Sequence, residues 1–172
     1  MKTILIPTDF NLESTKVLDA LLRDKPDERI NAVFLHAFKL SDCISDMLLL
    51  SRRSRDYQIV SDEFYEKLHA YRQRYAPRLA SVGIEYFYGS TTAAFKNFME
   101  ALSADCLAFS SDYQFRRINK YSTDLRLMAD RVSCEIYIAD TSNIFTDTSN
   151  IFETEELMDS RIPEVRLVQT YV

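Results

Sequence analysis

MKTILIPTDFNLES, residues 1–14, opens the chain, and its reading decides the fold. Thr3, Ile4, Leu5 and Ile6 form an apolar run without polar alternation, the pattern of a strand covered on both faces. Pro7 has no N–H and is expected to end the hydrogen-bonding ladder. Thr8 and Asp9 follow at once, and Asn11 is a good cap for the apolar-periodic segment beyond it. A hydroxyl and a carboxylate therefore stand at the carboxyl end of a buried strand, facing a helix start. In open α/β sheets ligands bind at that place.

Composition narrows the class. The chain has 172 residues, 47% of them hydrophobic and 12% aromatic, which suits one well-buried domain with an appended segment. A formal net charge of −5 argues against nucleic acid as a partner, because phosphate backbones need a basic surface. No apolar run reaches the ~18 residues of a membrane span, and the opening strand follows no signal-peptide pattern. A cytoplasmic protein without membrane contact is expected. Cys43, Cys106 and Cys134 are widely spaced, as reduced thiols rather than a disulfide framework would be. Cys106 and Cys134 lie in apolar segments and are read as core.

Beyond Asn11, residues Ser14, Val17, Leu18, Leu21 and Leu22 recur at helical spacing and stop near Arg23, ahead of Pro26. Ala32–Phe38 is a second buried strand, in which His36 is read as a hydrogen-bonded core or rim histidine. No metal site is expected, since His69, the other histidine, lies on a separate helix without ligand spacing. Residues 39–56 form a long connection with an apolar Leu48–Leu50 patch and with Arg52, Arg53 and Arg55, best read as a solvated charged loop. Phe64, Leu68, Tyr71, Tyr75 and Leu79 predict one long amphipathic helix over 59–81, kinked at Pro77 and capped by Gly83. Ile84–Tyr88 is a third strand. Phe95, Phe98, Met99 and Leu102 mark a helix, Cys106–Phe109 a fourth strand, and Tyr121, Leu125, Met128 and Val132 a fourth helix. Glu135–Ala139 is a fifth strand. This alternation calls for a doubly wound parallel sheet with helices on both faces and right-handed crossovers.

The chain divides at residue 140. Residues 1–140 make the α/β domain and 141–172 a C-terminal extension. Asp140–Thr146 (DTSNIFT) is repeated as Asp147–Glu153 (DTSNIFE), a tandem duplication of turn-forming residues with apolar anchors. Val165–Val172 (VRLVQTYV) reads as an extra strand able to cover a sheet edge, in its own subunit or in a partner.

The opening ILIPTDF with its capped helix resembles the first strand of the universal stress proteins. The long second connection, Ala104-Asp105 before strand four and Cys134 before strand five keep that resemblance over residues 1–140. It implies a five-stranded sheet in the order 3-2-1-4-5 and a homodimer formed through the last strand, to which the C-terminal tail is expected to contribute. In ATP-binding members the aspartate after strand one approaches the adenine. There the phosphates lie on a loop of the form G-x2-G-x9-G-(S/T) after strand four.

Here the corresponding positions are Ser110, Tyr113 and Ser122, with Thr123 as the hydroxyl partner and a spacer one residue short. No glycine remains, so the close approach of backbone N–H groups to phosphate is forfeited. A vestigial or modified nucleotide site is therefore assigned to Thr8, Asp9, Phe10, Ser110, Ser111, Ser122 and Thr123. Ser122 is the expected cap of the fourth helix, and Arg116, Arg117 and Lys120 the available charge. Three functions compete. The first is a dimeric stress-response interaction module that does not bind ATP, carries no cofactor and contacts an unidentified protein partner. The second is a nucleotide- or small-anion-binding sensor using Thr8-Asp9 and Ser110–Thr123, with ATP or another adenine nucleotide as the alternative to no cofactor. An enzyme is the third and is not expected, because no pyrophosphate loop, nucleophile elbow or P-loop motif is present and no catalytic residue can be named.

Overall fold

Thr3–Ile6 is apolar on both sides because both sides are covered. Ile4, Leu5 and Ile6 are completely buried. Ile4 and Ile6 belong to one hydrophobic cluster and Leu5 to the other. In the computed structural model of the chain, which describes residues 1–39, 59–132, 134–142 and 144, this segment is the middle of a five-stranded sheet.

Along the chain the elements are β1 (Lys2–Pro7), a 3-10 turn (Leu12–Thr15), α1 (Lys16–Asp24), β2 (Ile30–Phe38), α2 (Asp62–Arg74) and β3 (Leu79–Tyr88). Then come α3 (Thr92–Ala101), β4 (Cys106–Ser110), α4 (Arg126–Ala129) and β5 (Glu135–Ala139). The strands are all parallel, in the order β3-β2-β1-β4-β5. The order expected from the resemblance is the one observed. On one face α1 and α2 supply Val17, Leu18, Leu21, Phe64, Leu68 and Tyr71. On the other, α3 and α4 supply Phe95, Met99, Met128 and Ala129. Each of the larger aliphatic and phenylalanine side chains contributes roughly 1.5–3 kcal/mol by burial.

The caps follow the sequence. Asn11 accepts from the Glu13 amide, Ser61 from Phe64 and Thr91 from Ala94, each satisfying an amide the helix cannot. Gly89 closes the turn after β3, where an added Cβ would lie 2.5 Å from the Phe87 ring.

Three expectations are corrected. First, Pro7 does not end the ladder on both sides. It pairs with Leu35, and the Thr8 amide still donates to the Leu35 carbonyl at 3.0 Å. In a strand, successive amides point to opposite neighbours. The missing N–H therefore falls on the β4 side, where pairing is limited to Ile4–Cys106 and Leu5–Leu107. Second, the helix expected over 59–81 stops at Arg74, and Leu79 and Gly83 belong to β3. The Tyr71-Tyr75-Leu79 spacing continues a helical pattern, but the Pro77 ring clashes with the carbonyl four residues back and lacks the N–H. Pro77 sits in the turn, and Leu79 pairs with Ile30.

Third, the fourth helix is a single turn. Residues 121–123 are held extended against the end of β2 instead. Lys39 donates to the Tyr121 carbonyl at 2.7 Å and Thr123 to that of Ala37 at 2.9 Å, and Phe38 bridges Ser122. Helix begins only after Asp124, whose Oδ1 accepts from the Arg126 amide. The 40–58 connection with Cys43, Leu48–Leu50 and its arginines lies outside the described residues. So does the chain beyond residue 144, including most of the DTSNIF repeat and Val165–Val172. No described helix is long and apolar enough to cross a membrane.

Both described cysteines are free. Cys106 is fully buried, and burial raises its thiol to about 11. Cys134 is half-buried and raised for the same reason. Thiolates are thus disfavoured at both positions.

On the α3 side of edge strand β3, coverage is thin: a Cβ added at Gly83 would meet nothing within 4 Å. Glu85 shares this face with Phe87, and burial alone raises its carboxyl to about 7. The fold therefore favours the protonated acid. Between the ordinary carboxyl pKa, about 4.3, and about 7 the native state holds the extra proton. Stability accordingly falls as pH rises through that window. Glu85→Gln is expected to raise stability at pH 8 and to leave it nearly unchanged at pH 4, as read by urea denaturation at the two pH values.

Candidate functional site

The gap left between β1 and β4 beyond Leu5–Leu107 widens into a cleft of about 360 Å³ at the carboxyl ends of the strands. Pro7, Thr8 and Asp9 form one side, His36 and Ala37 the back, and Ser110, Asp112, Tyr113 and Arg116 the other side.

The first side is locally built. Thr8 Oγ1 accepts from the Phe10 amide at 2.8 Å and meets Ser14 Oγ at 2.7 Å. Asp9 Oδ1 accepts from the Asn11 amide at 3.1 Å. Phe10 has φ 61°, a left-handed conformation that costs of order 1–3 kcal/mol outside glycine. Burial of its ring offsets that cost: Phe10 packs edge-on against Phe64, with centroids 5.7 Å apart. The turn leaves Asp9 on the cleft while Phe10 enters the core.

His36 joins the back wall to the loop after β4. Its Nδ1 lies 2.6 Å from the Thr8 carbonyl oxygen, which can only accept, so Nδ1 carries the proton. Nε2 lies 3.0 Å from Ser122 Oγ and receives its hydroxyl proton. The Ser122 oxygen in turn accepts from the Ile118 and Asn119 amides, both at 3.1 Å. All of the hydroxyl's capacity is used.

The loop after β4 has its own network. Ser110 Oγ donates to Asp112 Oδ1. Thr141 Oγ1, arriving after β5, lies 2.8 Å from Ser110 Oγ and 3.2 Å from the same Asp112 oxygen. The Ser110 hydrogen bond holds the Asp112 carboxyl below its usual range. Tyr113 packs edge-on against Phe109 at 5.0 Å and donates to Asp124 Oδ1 at 3.0 Å. Burial, then the neighbouring Asp124, push its phenol pKa upward, so it remains a neutral donor. Across the cleft Lys16 pairs with Glu13.

Of the residues assigned from sequence, the structure brings Thr8, Asp9, Ser110 and Thr123 to the cleft. Phe10 is a core residue, and Ser111 is exposed with its amide bonded to the Ala139 carbonyl at 2.8 Å. Ser122 is buried and caps no helix; it anchors the 118–123 loop to His36. Arg116 lines the cleft, whereas Arg117 and Lys120 do not. Asp112 and Thr141 also line the cleft; neither is singled out by a motif, and the signals that could find them are position alone, Asp112 within the Ser110–Thr123 loop after strand four and Thr141 directly after strand five. No group of three His, Cys, Asp or Glu side chains suited to a metal converges among the described residues.

These elements define a doubly wound α/β protein with a polar crevice at its switch point. No protein-family model matches the sequence, and no curated protein matches it. Among solved structures, hypothetical protein PH0823 aligns with 81% of this chain and 95% of its own, at 14% identity and a TM-score of 0.51. Universal stress protein UspA from Lactobacillus plantarum aligns with 80% of this chain and 97% of its own, at 13% identity and a TM-score of 0.48. A protein of the universal stress protein family from Burkholderia pseudomallei covers 80% and 94%, at 15% identity and 0.42. At such identities the likeness is one of fold.

Ser122→Ala removes the acceptor of two amides and the donor to His36. A loss of about 1–3 kcal/mol is expected by chemical denaturation, together with faster hydrogen exchange at Ile118 and Asn119.

Proposed function

We propose that this chain is a universal-stress-like cytoplasmic protein that acts as a dimeric stress-response interaction module and does not bind ATP as nucleotide-binding members of that family do. Tyr113 is the observation that carries the reading. It stands at the second glycine position of the implied phosphate loop, with its ring on Phe109 and its hydroxyl on Asp124. Backbone N–H groups cradle phosphate where no side chain intervenes. Here the side chain is built into the wall, and the chain's own hydrogen bonds occupy the loop.

Dimerisation is supported by β5. It is an edge strand, and the short α4 leaves its outer face thinly covered. Ile138 is 47% exposed there, and Leu127 of α4 is 65% exposed. An open edge with apolar side chains favours strand pairing with a second copy. Function then rests on contact with a protein partner rather than on turnover.

The cleft itself favours a second reading, a sensor for a small nucleoside-like or anionic ligand held by Thr8, Asp9, Ser110 and Thr123. Adenosine or phosphate binding that disappears in Asp9→Ala would favour it.

Titration calorimetry with ATP and magnesium is expected to show no saturable binding, and micromolar binding competed by other adenine nucleotides would overturn the module reading. By light scattering the full chain is expected to be a dimer that Ile138→Glu converts to monomer. A monomeric wild type would remove the dimer from the proposal.

A further inference from the structure

Two hydroxyls from separate elements converge on one carboxylate oxygen at the mouth of the cleft. Ser110 ends β4 and Thr141 follows β5, 31 residues apart, yet both lie within hydrogen-bond distance of Asp112 Oδ1. A local Ser-x-Asp turn would need only Ser110, whose Oγ also accepts weakly from the Asp112 amide at 3.4 Å. Thr141, only 9% exposed, adds a donor from outside the turn. Lys16 and Arg116 line the same cleft, as do the carboxylates of Asp9 and Glu13. Lys16 also acts on Asp112 through space, although its ammonium is paired with Glu13. Hydroxyl donors are what a tetrahedral oxyanion requires.

We propose that Asp112 is a specificity-determining residue of the cleft: its carboxylate is an internal anion that occupies a small oxyanion receptor made by the Ser110 and Thr141 hydroxyls, and so restricts the cleft to ligands without phosphate. The inference rests on the reading that the chain does not bind ATP, and it supplies a cause distinct from Tyr113. A phosphate entering beside Asp112 meets a like charge and finds both hydroxyls already committed. Removing the carboxylate frees the two hydroxyls and takes away the like charge beside them.

The test is titration of the full chain with inorganic phosphate, followed by amide chemical shifts. Asp112→Ala is expected to bind phosphate about fivefold or more tightly than wild type, the scale of removing one like charge about 4 Å away at an exposed site. Shifts should centre on Ser110, Thr141 and residues 111–116. The gain is expected to vanish in Asp112→Ala/Ser110→Ala. Asp27→Asn, an equal charge change at an exposed turn, is expected to leave phosphate affinity unaltered. Equal affinity in wild type and Asp112→Ala would overturn the inference while leaving the module reading intact. So would a gain that survives loss of Ser110 or is matched by Asp27→Asn. ATP binding by the wild type would instead overturn the module reading, with the ratio of phosphate affinities still judging Asp112.

Discussion

The structure depends on how β1 is hydrogen-bonded on its two sides. Toward β2 its ladder runs past Pro7 to the Thr8 amide, and toward β4 pairing is limited to two residue pairs. The asymmetry arises because strand amides alternate in direction, so the proline loses its donor on the β4 side alone. β1 is thereby fixed as the centre of the sheet while its carboxyl end parts from β4. The cleft is a consequence of that parting, and Thr8 and Asp9 border it because they follow the last strand residue.

Polar groups beside a buried sheet must be satisfied, and the cleft walls meet this with reciprocal networks. Thr8 links to Ser14 and the Phe10 amide, His36 to the Thr8 carbonyl and Ser122, and Ser110 and Thr141 to Asp112. The left-handed Phe10 is part of the same solution, since it sends the aromatic ring inward and leaves the carboxylate of Asp9 outward. Side chains bonded to one another and to the backbone complete the walls of this crevice.

The helices reflect the same division between local chemistry and long-range contact. α1, α2 and α3 begin where their sequences supply a capping side chain, or a capped 3-10 turn ahead of the helix. α4 is cut to one turn because the backbone before it is committed to β2. Its brevity has a second effect, leaving Ile138 exposed on the outermost strand. The exposed edge and the loop that walls the cleft thus share one cause.

The sequence by itself determined the class of fold. The doubly buried run Thr3–Ile6, the alternation of apolar runs with helical periodicity, and the cap at Asn11 are local properties of the chain. They sufficed for a parallel sheet with Thr8 and Asp9 at its switch point. Periodicity misled where two structures share one pattern: Leu79 continues the spacing of α2 yet serves β3, and Tyr121 to Val132 is helical in pattern but only partly in fact. Tertiary structure alone decided how the cleft is finished. The His36–Ser122 contact spans 86 residues and the Ser110–Thr141 contact 31. No periodicity or local propensity encodes such pairs, because each polar group has many possible partners until the strands have brought one of them within reach.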